Sequence, residues 1–390
     1  MAGRWRAAAR AGLCAAAMAL FATVAQAACD LHAPDAAKAG HDCAQAWMDH
    51  NLHLNDILTI GTHNSYHLRS PVLTTLIRSF SPKGWLGLDY AHRPLADQLN
   101  DGARALELDL AYDPEGGRFA HPAGLRLAHL PEDPAYVAAM SRPGFKVLHI
   151  QDVDFHSNCL TFKACLTIIR DWSRAHPRHV PILITMNTND EKTRAPGGVD
   201  ELPFTTAAYD ALDAEIRQLF SPRELITPDD VRGAYPTLRE AVLKHGWPTL
   251  GAARGRVLFV LDEGRKHDDA YRGGRRSLEG RVLFLNTDEA SPDGAYITLN
   301  EHSDDARIAA DVKAGYLVRT RADADTVEAR SGDTARRDDA LKSGAQYVST
   351  DYRHPEPGLT SYQVRLPDGE IAVCNPVRAA GKCGGIPIEP

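Results

Sequence analysis

Two histidines, two carboxylates and two amides stand at the ends of short apolar runs in the first half of the chain. One run leads into Thr62-His63-Asn64-Ser65-Tyr66. Glu107 and Asp109 lie two apart in the next. If that run is a strand, both project to one side of it. His149, followed by Gln151 and Asp152, closes a third run, and Asn187, Asn189 and Asp190 close a fourth. Further along stand Arg319, Arg321, Asp323 and Asp351. Singly, each has an ordinary structural explanation as a buried ion pair, a loop cap or a satisfied histidine. Together they point to chemistry, because several carboxylates buried side by side are costly without a compensating cation. Asn64, Glu107, Asp109 and Asn187 make a hard-oxygen donor set that suits Ca²⁺, and Mg²⁺ less well. Zinc would draw the imidazoles in as ligands. They are better used as acid and base, since a histidine titrates at about 6.5. Two histidines flanking an oxygen-bound cation suit phosphodiester cleavage. One takes a proton from the attacking oxygen, the other supplies one to the leaving oxygen, and the cation neutralises the charge on phosphate.

Such residues need strand ends to hold them. Eight β-rich runs occur: 57–62, 105–112, 146–151, 181–188, 256–262, 281–287, 316–321 and 346–351. Several are nearly continuous in Val, Ile, Leu and Phe, as expected for strands buried on both faces. Helical patterns separate them at 160–174, 206–220, 238–245, 303–314 and 333–343, with Gly315 and Gly344 placed as C-terminal caps. Eight strands alternating with helices predict a closed (β/α)8 TIM-type barrel with its chemistry at the C-terminal strand ends. An open doubly wound sheet would show a Gly-rich phosphate turn after its first strand, and the chain has none. Segments 113–145 and 263–280 read as barrel loops.

The ends of the chain carry other information. Arg4, Arg6 and Arg10 precede an apolar stretch from Ala11 to Val24 and then Ala25-Gln26-Ala27. This is the pattern of a secretory signal cleaved near Ala27. It predicts a secreted or periplasmic protein with no transmembrane segment in the mature chain. Six cysteines remain after it, in three close pairs, so local disulfides Cys29–Cys43, Cys159–Cys165 and Cys374–Cys383 are expected. The expected organisation is a signal at 1–27, a disulfide-bearing segment at 28–50, a barrel at 51–355 and a disulfide-pinned extension at 356–390. The formal charge is −7, and the three signal arginines leave about −10 on the remainder, which argues against nucleic-acid binding. With 44% apolar and 24% charged residues the composition is that of a globular protein.

Thr62–Tyr66, Gly102-Ala103-Arg104-Ala105-Leu106-Glu107-Leu108-Asp109, Val147-Leu148-His149, Pro181–Asn187 and Gly344–Tyr352 together resemble the phosphatidylinositol-specific phospholipase C superfamily, in its calcium-dependent secreted bacterial branch. The resemblance runs over roughly residues 50–352. It implies a phosphoric diester hydrolase or lyase with His63 and His149 as the catalytic pair and Glu107 assisting. It implies Ca²⁺ held by Asn64, Glu107, Asp109 and Asn187, the last standing where eukaryotic relatives place a Glu. Cleavage of phosphatidylinositol would give diacylglycerol and a (cyclic) inositol phosphate. Arg104, Arg319, Arg321 and Asp351 are expected around the substrate, with Arg104 orienting Glu107 from behind. The spacing from Asp109 to His149 is longer than in the eukaryotic pattern, and His121 and His129 inside it are alternatives to His149. A lipid substrate requires peripheral contact with a membrane surface. Trp85, Leu86 and Leu88 in the loop after the first strand would either insert there or pack over the mouth as a lid. A monomer is expected. Two other readings stand beside this one. The first is a glycerophosphodiester phosphodiesterase-like hydrolase, which usually opens His-Arg-Gly rather than His-Asn-Ser. The second is a non-catalytic exported protein that binds inositol headgroups or glycans.

Overall fold

The computed structural model describes residues 29–389 except 245, 302 and 303. The secretory signal expected at 1–27 therefore lies outside the described residues, as does the expected helix cap Ser303. Among the described residues no helix is long and apolar enough to cross a membrane.

Ten strands form one sheet: β1 (Ile57–Thr62), β2 (Ala105–Ala111), β3 (Lys146–Val147), β4 (Ile182–Asn189), β5 (Val257–Leu261), β6 (Leu283–Leu285), β7 (Tyr296–Thr298), β8 (Leu317–Arg321), β9 (Tyr347–Thr350) and β10 (Ala372–Cys374). Eight of them run in parallel in the order β6-β5-β4-β2-β1-β9-β8-β7, and a bridge from Asn286 to Tyr296 joins the two ends of that order into a barrel. β1, β2 and β5 are buried along their whole length; β5 is accordingly an unbroken apolar run, and in β2 only Glu107 and Asp109 interrupt one. Gly61 is required where β1 meets β2. A Cβ there would lie 2.3 Å from the carbonyl oxygen of Ala105.

Two expectations about the strands are corrected. The third run, 146–151, is not a barrel strand. Only Lys146 and Val147 are extended, and they pair antiparallel with the far end of β2. The chain then folds back on itself through Ile150 and Asp154, with Asp152 at φ 70°. The barrel's remaining strand is β7, three residues long and not anticipated. Four of the expected helices correspond to Phe162–Ala175, Thr206–Leu219, Leu238–Leu243 and Asp305–Ala314, and the fifth to Ala335–Lys342. Thr161 and Thr205 cap the first two through their side-chain oxygens.

All three expected disulfides form. The C-terminal extension does more than hang from its own disulfide. β10 pairs antiparallel with the first half of β1. Beneath the barrel, Ala379 and Ile388 pack with Ala36, Trp47 and Met48 of the N-terminal segment and with Ile57 and Val180. The two chain ends thus make a common floor at the N-terminal end of the strands.

Candidate active site

At the opposite end the strand exits surround an open cavity of about 610 Å³. His63, Asn64, Glu107, Asp109, His149, Asn187, Arg319 and Arg321 all line it. β1 ends in a turn that Asn64 takes at φ 46°, a left-handed conformation that Asn tolerates. The following Ser65 hydrogen-bonds to the backbone of Glu107 in both directions, as its N–H donates to the Glu107 carbonyl (3.0 Å) and its hydroxyl accepts from the Glu107 N–H (2.9 Å). This ties the His63 turn to the carboxylates of β2.

The two imidazoles are held differently. His63 Nδ1 lies 2.7 Å from Asp351 Oδ1. Arg321 donates to His63 Nε2 (3.3 Å) and to Asp351 Oδ2 (3.0 Å). Burial and the Arg321 charge lower the His63 pKa, outweighing the attraction of Glu107 and Asp351. His63 is therefore neutral, with Nδ1–H on Asp351 and a lone pair on Nε2. His149 goes the other way. Burial pulls its pKa down, but the hydrogen bond and charge of Asp154, with Asp109 and Glu107 beyond, raise it overall. Nδ1 of His149 lies 2.8 Å from Asp154 Oδ2, which leaves Nε2 for the cavity. Paired groups pushed in opposite directions are a mark of acid and base assignments.

The carboxylates differ too. Glu107 Oε2 accepts from Arg319 at 2.5 Å, and its Oε1 lies 3.8 Å from His63 Nε2. Burial raises the Glu107 pKa, but Arg319, His63 and Arg321 lower it overall. Asp109 has no such partner. Its Oδ1 is buried without any hydrogen bond, and burial, with Glu107 adding to it, pushes its pKa up to about 7.

Residues 52–376 match the sequence model of a family described as phosphoinositide phospholipase C, Ca²⁺-dependent. The chain belongs to that family. It is an enzyme of phosphoric diester cleavage, and its cofactor is calcium. No curated protein matches it. Among solved structures it is similar to a calcium-dependent phosphoinositol-specific phospholipase C from a Gram-negative Pseudomonas species. The myoinositol complex matches at a TM-score of 0.52 and 16% identity, covering 83% of this chain and 96% of that one. A second crystal form of the same protein matches at 0.52 and 15%, covering 84% and 96%. These likenesses are to the fold, a nearly closed parallel barrel.

The donor set of this phospholipase C fits calcium. The amide nitrogen of Asn64 donates to the Tyr90 hydroxyl (3.0 Å) and that of Asn187 to the Asp262 carbonyl (2.7 Å). Each amide therefore presents its oxygen to the cavity, beside the orphaned oxygen of Asp109. Hard oxygens with few competing donors are what Ca²⁺ takes.

Two residues expected around the substrate are placed elsewhere. Arg104 does not orient Glu107. It precedes β2, at the floor of the barrel, where it is buried and bound to both carboxylate oxygens of Glu389 and to the carbonyls of Leu99 and Ala103 (2.8 Å each). Asp351 faces His63 and Arg321 with its two oxygens and does not line the cavity. Arg319 and Arg321 do reach the cavity. His121 and His129 do not line it, and His121 is exposed against Glu132. Trp85, Leu86 and Leu88 are half-buried, while Phe80 just before them is 78% exposed.

The sequence reading missed several participants. Asp262, Glu263, Asn286 and Asn300 line the cavity from β5, β6 and β7. Asp154 and His67 stand behind His149. The atoms of His67, His149 and Asp154 form a compact cluster of potential metal donors. They are instead directly hydrogen-bonded at 2.8 to 3.0 Å, closer than the roughly 3.3 Å between donors around a tetrahedral zinc. The nearest sequence signals were a third histidine four residues after His63 and an aspartate five after His149.

Proposed function

We propose that this phospholipase C cleaves phosphatidylinositol by attack of the inositol 2-hydroxyl on phosphorus, with His63 as base and His149 as acid. The observation that carries the reading is the opposite setting of two imidazoles on one cavity. His63, its pKa lowered, carries its hydrogen on Nδ1 and has on Nε2 a lone pair that Arg321 would give up on turning to the phosphate. His149, its pKa raised beside Asp154, would carry a second hydrogen on the Nε2 that faces the cavity. The proton of the 2-hydroxyl goes to His63 Nε2 as the new P–O bond forms. The glycerol oxygen takes its proton from His149 Nε2 as the old bond breaks, releasing diacylglycerol and a cyclic inositol phosphate. A nucleophile carried on the substrate itself lowers the entropic cost of attack. Arg321, beside His63, and Arg319, beside Glu107, would meet the non-bridging phosphate oxygens. Asn64, Glu107, Asp109 and Asn187 would hold Ca²⁺, which when bound neutralises charge on the phosphate.

The lipid part of the substrate calls for a surface contact. An apolar groove lined by Leu76, Ile77, Phe80, Ile150 and Val153 adjoins the catalytic cavity, with Glu191 common to both, and Lys192 and Arg194 stand on its edge. Exposed aromatic and aliphatic groups beside cations suit the interface of an anionic membrane.

Phosphorus NMR of the products from phosphatidylinositol vesicles, with Ca²⁺ and with EGTA, tests the reaction. A cyclic phosphate signal is expected with Ca²⁺ and none with EGTA. His63→Ala and His149→Ala should each lower turnover by about 10²–10⁴-fold. Wild-type turnover in either variant refutes the assignment.

A further inference from the structure

We propose that Asp154 and His67 are positioning residues that aim His149 at the leaving oxygen, so that a third, buried imidazole serves the acid step without touching substrate. The proposal rests on the phosphodiester-cleaving function argued above.

Asp154 is completely buried, and its carboxylate is hydrogen-bonded to two imidazoles, His149 (2.8 Å) and His67 (2.9 and 3.0 Å). The backbone fixes the same geometry. The N–H groups of His149 and Ile150 both donate to the Asp154 carbonyl, at 3.2 and 3.0 Å, and the Asp154 N–H returns to Ile150 at 2.9 Å. His149 and Asp154 therefore move as one unit on a loop, not on a barrel strand.

His67 supplies what the loop lacks, an anchor to the barrel. Its Nδ1 donates to the Tyr90 carbonyl (3.0 Å), its ring stacks on the Tyr90 ring at 4.5 Å, and its edge faces His149 at 5.8 Å. Its two nitrogens thus face a backbone carbonyl and the Asp154 carboxylate. With no exposed surface, His67 reaches neither substrate nor calcium. What it can do is hold Asp154 still. Asp154 in turn accepts the Nδ1 hydrogen of His149, its charge favours the imidazolium, and the second hydrogen of that imidazolium, on Nε2, is directed into the cavity. In the step this serves, the proton leaves His149 Nε2 for the glycerol oxygen while the phosphorus–glycerol bond breaks.

A substrate that needs no acid separates this role from mere support. Nitrophenolate leaves without a proton, whereas the glycerol alkoxide does not. Kinetics on phosphatidylinositol in mixed micelles and on inositol nitrophenyl phosphate are compared for wild type, Asp154→Asn and His67→Phe. Phe retains the stacking on Tyr90 and removes both hydrogen bonds. Asp154→Asn is expected to lower kcat on the lipid by about 100-fold, with KM within twofold and the nitrophenyl rate within threefold. His67→Phe should give the same pattern at about tenfold. Equal losses on both substrates, or no loss on either, overturn the proposal.

A readout independent of turnover covers failure of the functional reading. In NMR of the wild-type protein, the His149 Nδ1 hydrogen should appear as a downfield, slowly exchanging resonance that disappears in Asp154→Asn. If that resonance is present but neither substrate is cleaved, the functional reading has failed and the acid-positioning role falls with it. If both are cleaved and the resonance is absent, the positioning geometry is wrong.

Discussion

Glu389→Gln should destabilise the protein by about 3–5 kcal/mol, the usual consequence of stripping the partner from a buried charge. Arg104 is 1% exposed, and Glu389 is its only carboxylate partner among the described residues. The guanidinium also lies over the ring of Trp172 at 4.8 Å, and Glu389 accepts from the Val180 N–H at 2.8 Å. A chain of 390 residues unfolds with an entropy near 2.1 cal/mol/K per residue, so each kcal/mol moves the melting temperature by roughly 1.2 °C. The expected fall is thus about 4–6 °C, followed by circular dichroism. Replacing both partners, as Arg104→Met with Glu389→Leu, removes the charge instead of stranding it and should recover most of the loss. Turnover per folded molecule, measured well below the transition, should match wild type in all of these variants. A double variant that melts as low as the single one refutes the reasoning. So would Arg104→Met losing turnover while still fully folded, which would return Arg104 to Glu107.

Three further outcomes follow from the cavity. Asp109 has a folded pKa of about 7 against the ordinary 3.8, so in calcium-free buffer stability should fall as pH rises between those values, by up to about 4 kcal/mol. Asp109→Asn should therefore melt higher than wild type in EGTA at pH 8 and gain less from added Ca²⁺, and equal melting curves would contradict the orphaned carboxylate. The cavity wall carries Asp190, Glu191, Asp262 and Glu263 besides the calcium donors. Phosphatidylinositol should thus be turned over at least tenfold faster than its 4,5-bisphosphate, and the reverse preference would contradict a carboxylate-lined headgroup site. Phe80→Asp should reduce co-sedimentation with phosphatidylinositol vesicles several-fold, and unchanged binding would remove the apolar groove from the membrane contact.

What was legible in the sequence follows from how a barrel is built. β1, β2, β4 and β5 are buried on both faces, so their apolar runs mark them almost residue for residue. β7 is only three residues, Tyr296–Thr298, between an alanine and a leucine, too short to stand out as a strand. Lys146-Val147-Leu148 looks like a strand and begins as one, but its partner is antiparallel and the chain turns away at Ile150. His149 nevertheless lines the cavity, although its long spacing from Asp109 left His121 and His129 as alternatives, because the loop that follows Val147 carries it to the same end of the barrel as a strand would. Arg104 was misplaced for a geometric reason. Three residues before Glu107 on a strand is about 10 Å toward the other end of the barrel. Asp154, His67 and Asp262 went unseen because their roles are set by contacts across loops, for which one chain read alone holds no periodic signal.

β1 is completed on one edge by β9 and on the other by β2 and β10. A ribosome adds about 5–20 residues per second, so β1 emerges tens of seconds before β9 and β10. No portion of the chain that lacks β9 can form the finished ring.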